Sequence, residues 1–316
     1  MENPSPGDST TSRESTPPAG NATPDPNTTP RAGAAPGAAS GSAPGADVTA
    51  DGGAAALGRV ARGVLYPARH VEVVETARHD PSPEAARYVE LYWHVRWRVD
   101  EPHDSKVLSY PSVHLVFEDP EPMIYGVVRD LFVRRLEGEG QVLGVKFHPG
   151  CFRPFAGGPV SAFTDRTVPA AEVFGPEVVD VGRRVMAGRE TADLAAPAER
   201  FLLDRLPEPD PTAHEVAGMV ERITARPDLF RVDQAAEALH VSTRTLQRLF
   251  AEYVGVTPKW VMRRARLQEA ATRADAGDTV DWAALAADLG YFDQAHLVRD
   301  FTATVGVPPA RYARSV

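Results

Sequence analysis

The last third of this chain contains a short internal repeat, and this feature most constrains its fold. Each copy has an apolar run with helical spacing, a turn, and a second helical run that ends before a glycine and a proline. The second helical run of one copy lies 51 residues from that of the other, whereas the first helical runs lie 50 residues apart. The turn between the runs is therefore one residue longer in the second copy. The second runs and their endings are Leu246–Phe250 with Gly255–Pro258, and Leu297–Phe301 with Gly306–Pro309. The simplest reason for a doubled helix-turn-helix unit is that the protein reads two adjacent major-groove segments of DNA.

The first copy predicts a helix-turn-helix over residues 232–253. Apolar residues recur at helical intervals from Val232 to Leu239, and Ser242 is a good N-cap for the next helix, because its hydroxyl can accept from free backbone N–H groups. Leu246, Leu249 and Phe250 are expected to face inward. The outer face then carries the side chains that hydrogen-bond to base edges and phosphates. The candidate DNA contacts of this unit are Ser242, Thr243, Arg244, Gln247 and Arg248.

The second copy predicts a helix-turn-helix over residues 281–304. Gly290 can adopt the left-handed conformation in the turn, and Asp293 is the N-cap candidate. Leu297, Val298 and Phe301 are the expected inward face, which leaves Gln294, His296 and Arg299 as candidate DNA contacts. Two alternatives stay open, since His296 could pack between helices and Arg299 could pair with Asp293 or Asp300. This helix has fewer cations than the first, so we expect the first to contribute more affinity.

A connecting helix is predicted over residues 257–275, where Lys259 to Arg273 contains neither proline nor glycine. Residues 241–273 hold seven cations and two acids, a local excess of positive charge in a chain with a net charge of -9. Such an excess is typical of a phosphate-binding surface. The overall acidity does not exclude DNA, because charges are screened beyond ~8 Å at physiological salt. Trp260 and Trp282 are expected to anchor the core rather than stack on bases.

These residues resemble the DNA-binding domain of the AraC/XylS family of bacterial transcription regulators. The resemblance covers about residues 210–316 and departs at Ala295, where serine is usual, and at Leu297, where phenylalanine is usual. It implies an all-α, double helix-turn-helix domain over residues 207–316, a transcription regulator as the function and double-stranded DNA as the partner. A contact with RNA polymerase, a small-molecule effector and a homodimer stay open. The motifs that carry it are Ser242–Phe250, Gly255–Pro258, Arg266-Leu267 with Ala270, Leu289–Phe301, Gly306–Pro309 and Tyr312.

Residues 1–62 are rich in Pro, Gly, Ala, Ser and Thr and contain no aromatic residue. Such a composition buries too little apolar surface to offset the entropy of ordering, so this segment is predicted to be disordered. It lacks the charged start and apolar core of a secretory signal. No stretch of the chain reaches the ~20 apolar residues that cross a bilayer, which predicts a cytoplasmic protein without a membrane partner.

Residues 63–206 are predicted to form an α+β domain, with an antiparallel sheet or small barrel followed by helices. The expected strands are Leu91–Trp97, Val113–Phe117, Met123–Val128, Leu131–Leu136 and Val142–Phe147, and the expected helices are Pro176–Ala187 and Ala192–Arg205. This half resembles the β-rich sensor domains of many AraC/XylS regulators, and the resemblance names no ligand.

An enzyme or a metal-dependent sensor in this half, tethered to DNA by the other, is the alternative function. His94, His114, His148 and Glu118 suggest a cupin-like metal site, because neighbouring strands can bring imidazole and carboxylate groups together. The His-x-His pair of such sites is missing, however, and the single cysteine, Cys151, excludes an internal disulfide and a zinc site built on several cysteines. Cys151 is either a redox sensor or a buried small residue. We therefore predict no catalytic residue, no cofactor and no metal.

Overall fold

The computed structural model describes residues 63–67, 70, 72–226, 228–276 and 280–315. The prediction that residues 1–62 are disordered lies outside these ranges. Every helix within them is too short or too polar to span a lipid bilayer.

The amino-terminal half is built on a six-stranded antiparallel sheet with the order β1-β2-β5-β3-β4-β6. Two long strands, β2 and β5, form its centre and pair along most of their length. The predicted α+β class is confirmed, in the form of an open sheet. The strands are β1 (Val74–His79), β2 (Val89–Val107), β3 (His114–Phe117), β4 (Met123–Tyr125), β5 (Phe132–Phe147) and β6 (Thr167–Pro169).

The structure corrects the predicted strands at the centre of the sheet. The expected strands Leu131–Leu136 and Val142–Phe147 are one continuous strand, β5. Gly140 lies between the two expected strands and pairs with Trp97 of β2. A Cβ atom on Gly140 would lie 2.4 Å from the Trp97 ring, so the glycine makes room for an indole within a paired strand. Strand β2 also extends beyond the predicted Leu91–Trp97, and β1 and β6 were not predicted.

One face of the sheet packs against helices. Tyr92, Leu143 and Val145 alternate with residues of the other face, and all three are fully buried in one core with Val181 of α3 and Leu194 of α4. The helices predicted over 176–187 and 192–205 are confirmed within two residues at each end. The helices of this half are α1 (Arg153–Ala156), α2 (Ala171–Phe174), α3 (Glu177–Met186) and α4 (Thr191–Leu203), with 3₁₀ turns at Ala85–Arg87 and Val160–Phe163.

The carboxy-terminal half is helical throughout and contains both predicted helix-turn-helix units. The connecting helix, α8, is capped by Thr257 and lies within the predicted 257–275. The elements are α5 (Pro211–Thr224), α6 (Val232–Ala238), α7 (Thr243–Leu249) with a π-helical turn at Phe250–Val254, α8 (Pro258–Asp275), α9 (Trp282–Asp288), α10 (Gln294–Val305) and α11 (Pro309–Ala313).

The turns of the two units share a left-handed residue directly after the last leucine of the first helical run. Gly290 has a φ of 67°, as predicted, and His240 occupies the equivalent position with a φ of 56°. A left-handed histidine was not predicted, because only glycine adopts this region without a steric cost. Both predicted N-caps form: the side chain of Ser242 accepts from the Thr245 N–H, and that of Asp293 accepts from the His296 N–H.

The two units have separate cores that meet at the connecting helix. The first core includes Leu246 and Phe250, together with Val261 of α8. The second includes Leu297 and Phe301, together with Leu267 of α8. Trp260 packs against the first and Trp282 against the second, in agreement with their expected role as anchors. Because α8 contributes to both cores, the relative position of the units is determined by packing.

Gly290 is expected to be the glycine of this half most sensitive to substitution. A Cβ atom there would lie 1.5 Å from Cε1 of Phe230, in addition to the strain of a positive φ. Gly290→Ala should lower the free energy of unfolding by about 2–3 kcal/mol in chemical denaturation. The control is Gly306→Ala, which has a φ of 86° but no atom within 4 Å of the added Cβ and should cost only about 1 kcal/mol. Equal losses in the two variants would show that Phe230 moves away without cost.

Asp275 at the end of α8 provides a second test of packing. The Tyr312 hydroxyl donates to its Oδ1 at 2.7 Å. Burial raises the pKa of Asp275 to about 6, although the hydrogen bond from Tyr312 opposes this change. A raised pKa means that the folded state binds the proton more tightly than the unfolded state, so stability should fall as the pH rises from about 4 to about 6.

Asp275→Asn keeps an oxygen acceptor for Tyr312 and removes the charge. We expect it to raise the free energy of unfolding at pH 8 by on the order of 1–2 kcal/mol and to leave it unchanged at pH 4. Denaturant titrations at pH 4, 5, 6 and 8 would measure this. Asp100→Asn, at an exposed position on β2, is the matched control and should have no such pH profile. A gain of equal size at pH 4 would contradict the assignment to the buried charge.

Candidate nucleic-acid interface

Helix α7 presents the predicted outer face to solvent. Arg244, Gln247 and Arg248 are exposed, while Leu246 and Leu249 on the opposite side are buried. Ser242 is also exposed, and Thr243 is half-buried at the first position of the helix. Within the described part of the chain, neither Arg244 nor Arg248 forms an ion pair. Two guanidinium groups on one exposed helix face can donate to phosphates and to base edges.

Helix α10 presents a similar but less charged face. Gln294, His296 and Arg299 are exposed, and Leu297 and Phe301 are fully buried. The His296 ring contacts the edge of Tyr291 with a centroid distance of 5.1 Å, so it is both exposed and packed against its own turn. Arg299 forms no ion pair with any described residue, so it pairs with neither Asp293 nor Asp300. Its guanidinium therefore remains available at the surface.

The connecting helix uses most of its cations within the protein, which corrects the interpretation of its charge. Arg263 donates to Oδ1 of Asp300 at 2.6 Å, and the Tyr291 hydroxyl donates to the other oxygen of the same carboxylate at 2.8 Å. Arg273 pairs with Glu269 at the surface, where its side chain is 58% exposed. Arg264, in contrast, is only 2% exposed, and the Arg266 guanidinium lies 5.1 Å from the centre of the Tyr291 ring. Sequence counts alone could not separate these internal contacts from a phosphate-binding surface.

Asp300 is consequently neutralised on the inside of the second unit. Its side chain is only 16% exposed and has Arg263 and Tyr291 as partners. These two contacts place the Asp300 carboxylate on the inside of the second unit rather than on its outer face. The exposed cations of this half that are free of ion pairs within the described ranges include Arg244, Arg248, Lys259 and Arg299.

Phe292 was not selected from the sequence and lies beside the second exposed face. It is 93% exposed, in the turn immediately before Asp293, the N-cap of α10. A single exposed apolar side chain is normal on a protein surface and does not by itself indicate a partner. The extra residue in the turn of the second copy was the only sequence signal for this position.

The metal-site alternative has no geometric basis among the described residues, which contain no group of three or more His, Cys, Asp or Glu side chains that could hold one ion. His94 faces the helices and contacts Thr191 and Gln141. His114 lies on the opposite face of the sheet, where its Nδ1 accepts from the Trp93 indole. Glu118 accepts from Arg134 and Tyr125.

Cys151 is a core residue rather than a reactive surface thiol. It is 1% exposed and belongs to the core between the sheet and its helices. Burial raises the pKa of its thiol to about 12, and Asp210 contributes to this increase. The thiolate is the nucleophilic form of cysteine, and this environment disfavours it. The structure therefore supports a buried small residue over a redox sensor.

Two family models match separate parts of the chain. Residues 77–169 match a domain of unknown function, DUF6597, which corresponds to the sheet. Residues 235–315 match a helix-turn-helix domain of the AraC type, which covers both exposed faces. The carboxy-terminal half is an AraC-type helix-turn-helix domain. The protein is therefore a DNA-binding transcription regulator.

The solved structures that resemble this chain are only distantly similar to it. ToxT from Vibrio cholerae is 10% identical with a TM-score of 0.35, over 77% of this chain and 99% of that chain. ToxT bound to (E)-4-(8-methylnaphthalen-1-yl)but-3-enoic acid has a TM-score of 0.38 at 10% identity, with the same coverage of both chains. The AraC-like transcriptional activator CuxR is 13% identical with a TM-score of 0.19, over 67% of this chain and 90% of that chain. Similarities this low carry no argument about function, and no curated protein matches the chain.

The exposed arginines of α7 are expected to contribute strongly to DNA affinity. Arg244→Ala and Arg248→Ala should each weaken binding by on the order of 1–3 kcal/mol if they contact bases. Fluorescence anisotropy with a fragment selected by the full-length protein would measure the loss. Arg183→Ala, an exposed arginine on α3 of the sheet half, is the matched control and should bind as the wild type does. Unchanged binding by both α7 variants would show that this face does not meet DNA.

Proposed function

We propose that α7 and α10 act as two recognition helices that enter successive major-groove segments, and that the sheet half modulates this binding. The observation that carries the proposal is the presence of two equivalent exposed faces on a repeated unit. Both follow a turn with a left-handed residue and begin at a side-chain N-cap, Ser242 or Asp293. The candidate contacts are Ser242, Thr243, Arg244, Gln247, Arg248, Gln294, His296 and Arg299.

The internal contacts of the connecting helix support a rigid pair of reading units. The Arg263–Asp300–Tyr291 cluster joins α8 to the second unit, and Phe230, just before the first unit, packs on Gly290 of the second. A rigid pair can meet two groove segments one helical turn apart, about 34 Å in straight DNA, only where the spacing of the helices and the shape of the DNA agree. We therefore expect binding to select for bent or easily bent sites.

The unequal charge of the two faces supports an unequal division of affinity. Helix α7 has two exposed arginines, Arg244 and Arg248, and α10 has one, Arg299. Each phosphate that is neutralised contributes to the salt dependence of binding, with a slope of roughly 0.9 per contact. The first unit is therefore proposed to anchor the protein, while the second contributes mainly to the choice of site.

Contacts between the sheet half and the connecting helix support modulation. The Arg264 guanidinium donates to the Arg129 carbonyl at 2.6 Å and to the Asp130 carbonyl at 3.2 Å. Gln268 donates to the Leu108 carbonyl at 2.8 Å. A displacement of either segment of the sheet half would act directly on the helix that holds both reading units. The effector, the contact with RNA polymerase and the homodimer stay predictions from the sequence.

Genome-fragment selection with the full-length protein tests this proposal. The wild type should retain an asymmetric motif with two elements, and its double variant Arg244→Ala/Arg248→Ala should lose one of them. The double variant Gln294→Ala/Arg299→Ala should lose the other and keep more of the total affinity. Arg183→Ala serves as the control and should retain the wild-type motif. Retention of the same two-element motif by both double variants would contradict the assignment of the two helices.

A further inference from the structure

A cavity of about 410 Å³ lies on the face of the sheet opposite α3 and α4. This volume is within the range of roughly 300–1,000 Å³ that is usual for small-molecule sites. Residues near both ends of the paired strands β2 and β5 line the cavity, so this pair of strands curves around it. Most of the lining is apolar or aromatic and includes Trp93, Val95, Trp97, Phe132, Leu136 and Val142. The residues that line this cavity come from distant parts of the chain, so no local sequence pattern marks it.

Two glycines of β5 give the cavity flat aromatic surfaces. Trp93 is paired with Gly144, and a Cβ atom on this glycine would lie 1.9 Å from the indole. The Trp93 ring therefore crosses β5 and reaches His114 on β3, the next strand of the sheet. Gly140 provides the same space for Trp97. Indole surfaces of this kind suit a planar ring system.

The contact between Trp93 and His114 determines which imidazole nitrogen carries the proton. An indole N–H can only donate, and it lies 3.0 Å from Nδ1 of His114, so Nδ1 is the acceptor. In the neutral ring Nε2 then carries the hydrogen. Burial, together with Lys146, lowers the pKa of His114 to about 3, which keeps the ring neutral. His114 lines the cavity, and its Nε2–H has no acceptor among the described residues.

Ser112 supplies a second polar group. It is 3% exposed and lines the cavity, and its hydroxyl forms no hydrogen bond with the described residues. A buried hydroxyl is normally hydrogen-bonded, because loss of its water partners is otherwise uncompensated. Ser112 and His114 therefore offer hydrogen-bond donors to a molecule in an otherwise apolar space.

The charged residues of the lining already have partners of opposite charge. Lys146 contacts Glu90 at 2.8 Å, and its ammonium also lies 4.5 Å from the centre of the Tyr110 ring. Arg134 pairs with Glu118, and Arg78 with Asp80. An anionic ligand would therefore have to compete with a carboxylate for one of these cations or leave its own charge without a partner in the cavity.

We propose that this cavity binds a neutral, planar aromatic molecule that carries one hydrogen-bond acceptor, such as a carbonyl oxygen. The rings would lie against Trp93 and Trp97, and the acceptor would receive hydrogen bonds from Nε2–H of His114 and the hydroxyl of Ser112. This ligand site goes beyond the proposed reading of DNA, and its test does not depend on DNA.

Two naphthalene derivatives of nearly equal size, 2-acetylnaphthalene and 2-naphthoate, test the chemical class. The first is a neutral ketone, and the second replaces its methyl group with a charged oxygen at pH 7.5. Titration calorimetry with the full-length protein should give one site for the ketone, accompanied by a change in tryptophan fluorescence, and at least tenfold weaker binding of the carboxylate. Equal or tighter binding of 2-naphthoate, or no binding of either compound, would overturn the proposal.

Substitutions locate the bound ketone within the protein. Ser112→Ala should weaken ketone binding about five- to tenfold through loss of one hydrogen bond. Ser161→Ala, at an exposed serine outside the cavity, is the matched control and should bind as the wild type does. Val95→Phe adds a ring inside the cavity and should abolish ketone binding, while thermal unfolding confirms that the variant is folded. Wild-type affinity in Val95→Phe would place the ketone elsewhere and overturn the assignment, even if Ser112→Ala failed to fold.

Discussion

The joining of the two halves depends on a buried cation, Arg264. Its guanidinium stacks 4.7 Å from the centre of the Trp260 ring, and its described hydrogen bonds all go to backbone carbonyls of Arg129 and Asp130. Burial lowers its pKa to about 10, so it remains charged at neutral pH. A buried charge is tolerated only where acceptors are held in place, and here the sheet half holds them. The Trp260 indole donates to the same Arg129 carbonyl, which fixes this segment against α8.

The second joint is apolar and centres on Leu108. This residue is fully buried in the core of the second helix-turn-helix unit, and it also lines the cavity of the sheet. Its carbonyl accepts from Gln268 of α8, and its N–H donates to Gly63. One residue therefore touches the proposed ligand space, the connecting helix and the second helix-turn-helix unit. Close-packed protein interiors transmit small displacements, because their side chains have few alternative arrangements.

Charge in the helical half is divided between two tasks that the sequence does not distinguish. Arg263, Arg264 and Arg266 of α8 hold the second unit and the sheet half in position. Arg244 and Arg248 of α7 remain exposed on the face that carries the DNA-contact candidates. The difference arises from position, because the guanidinium groups of α8 lie against a carboxylate, backbone carbonyls and an aromatic ring of the protein instead of facing solvent. Net charge over a segment therefore overestimates the part of it that can reach phosphate.

Local chemistry was sufficient to predict the doubled helix-turn-helix unit. Apolar spacing, the N-caps Ser242 and Asp293, and the left-handed glycine Gly290 act within a few residues, and the structure has each of them. The same spacing determined which side of α7 and of α10 is exposed. Helix boundaries and outward faces follow from interactions along one segment, so a sequence determines them by itself. Whether those faces contact DNA stays a prediction.

Tertiary structure decided everything that depends on residues far apart in the chain. Only the pairing of β2 with β5 showed that Gly140 and Gly144 make room for indoles rather than end a strand. Only the packing of α8 showed that Arg263 and Arg264 face the protein, and only the curvature of the sheet brought Ser112 and His114 to one cavity. The sequence by itself determined the helical repeat, because helix periodicity is local. The cavity and the joints between the halves were decided by long-range contacts that no local pattern records.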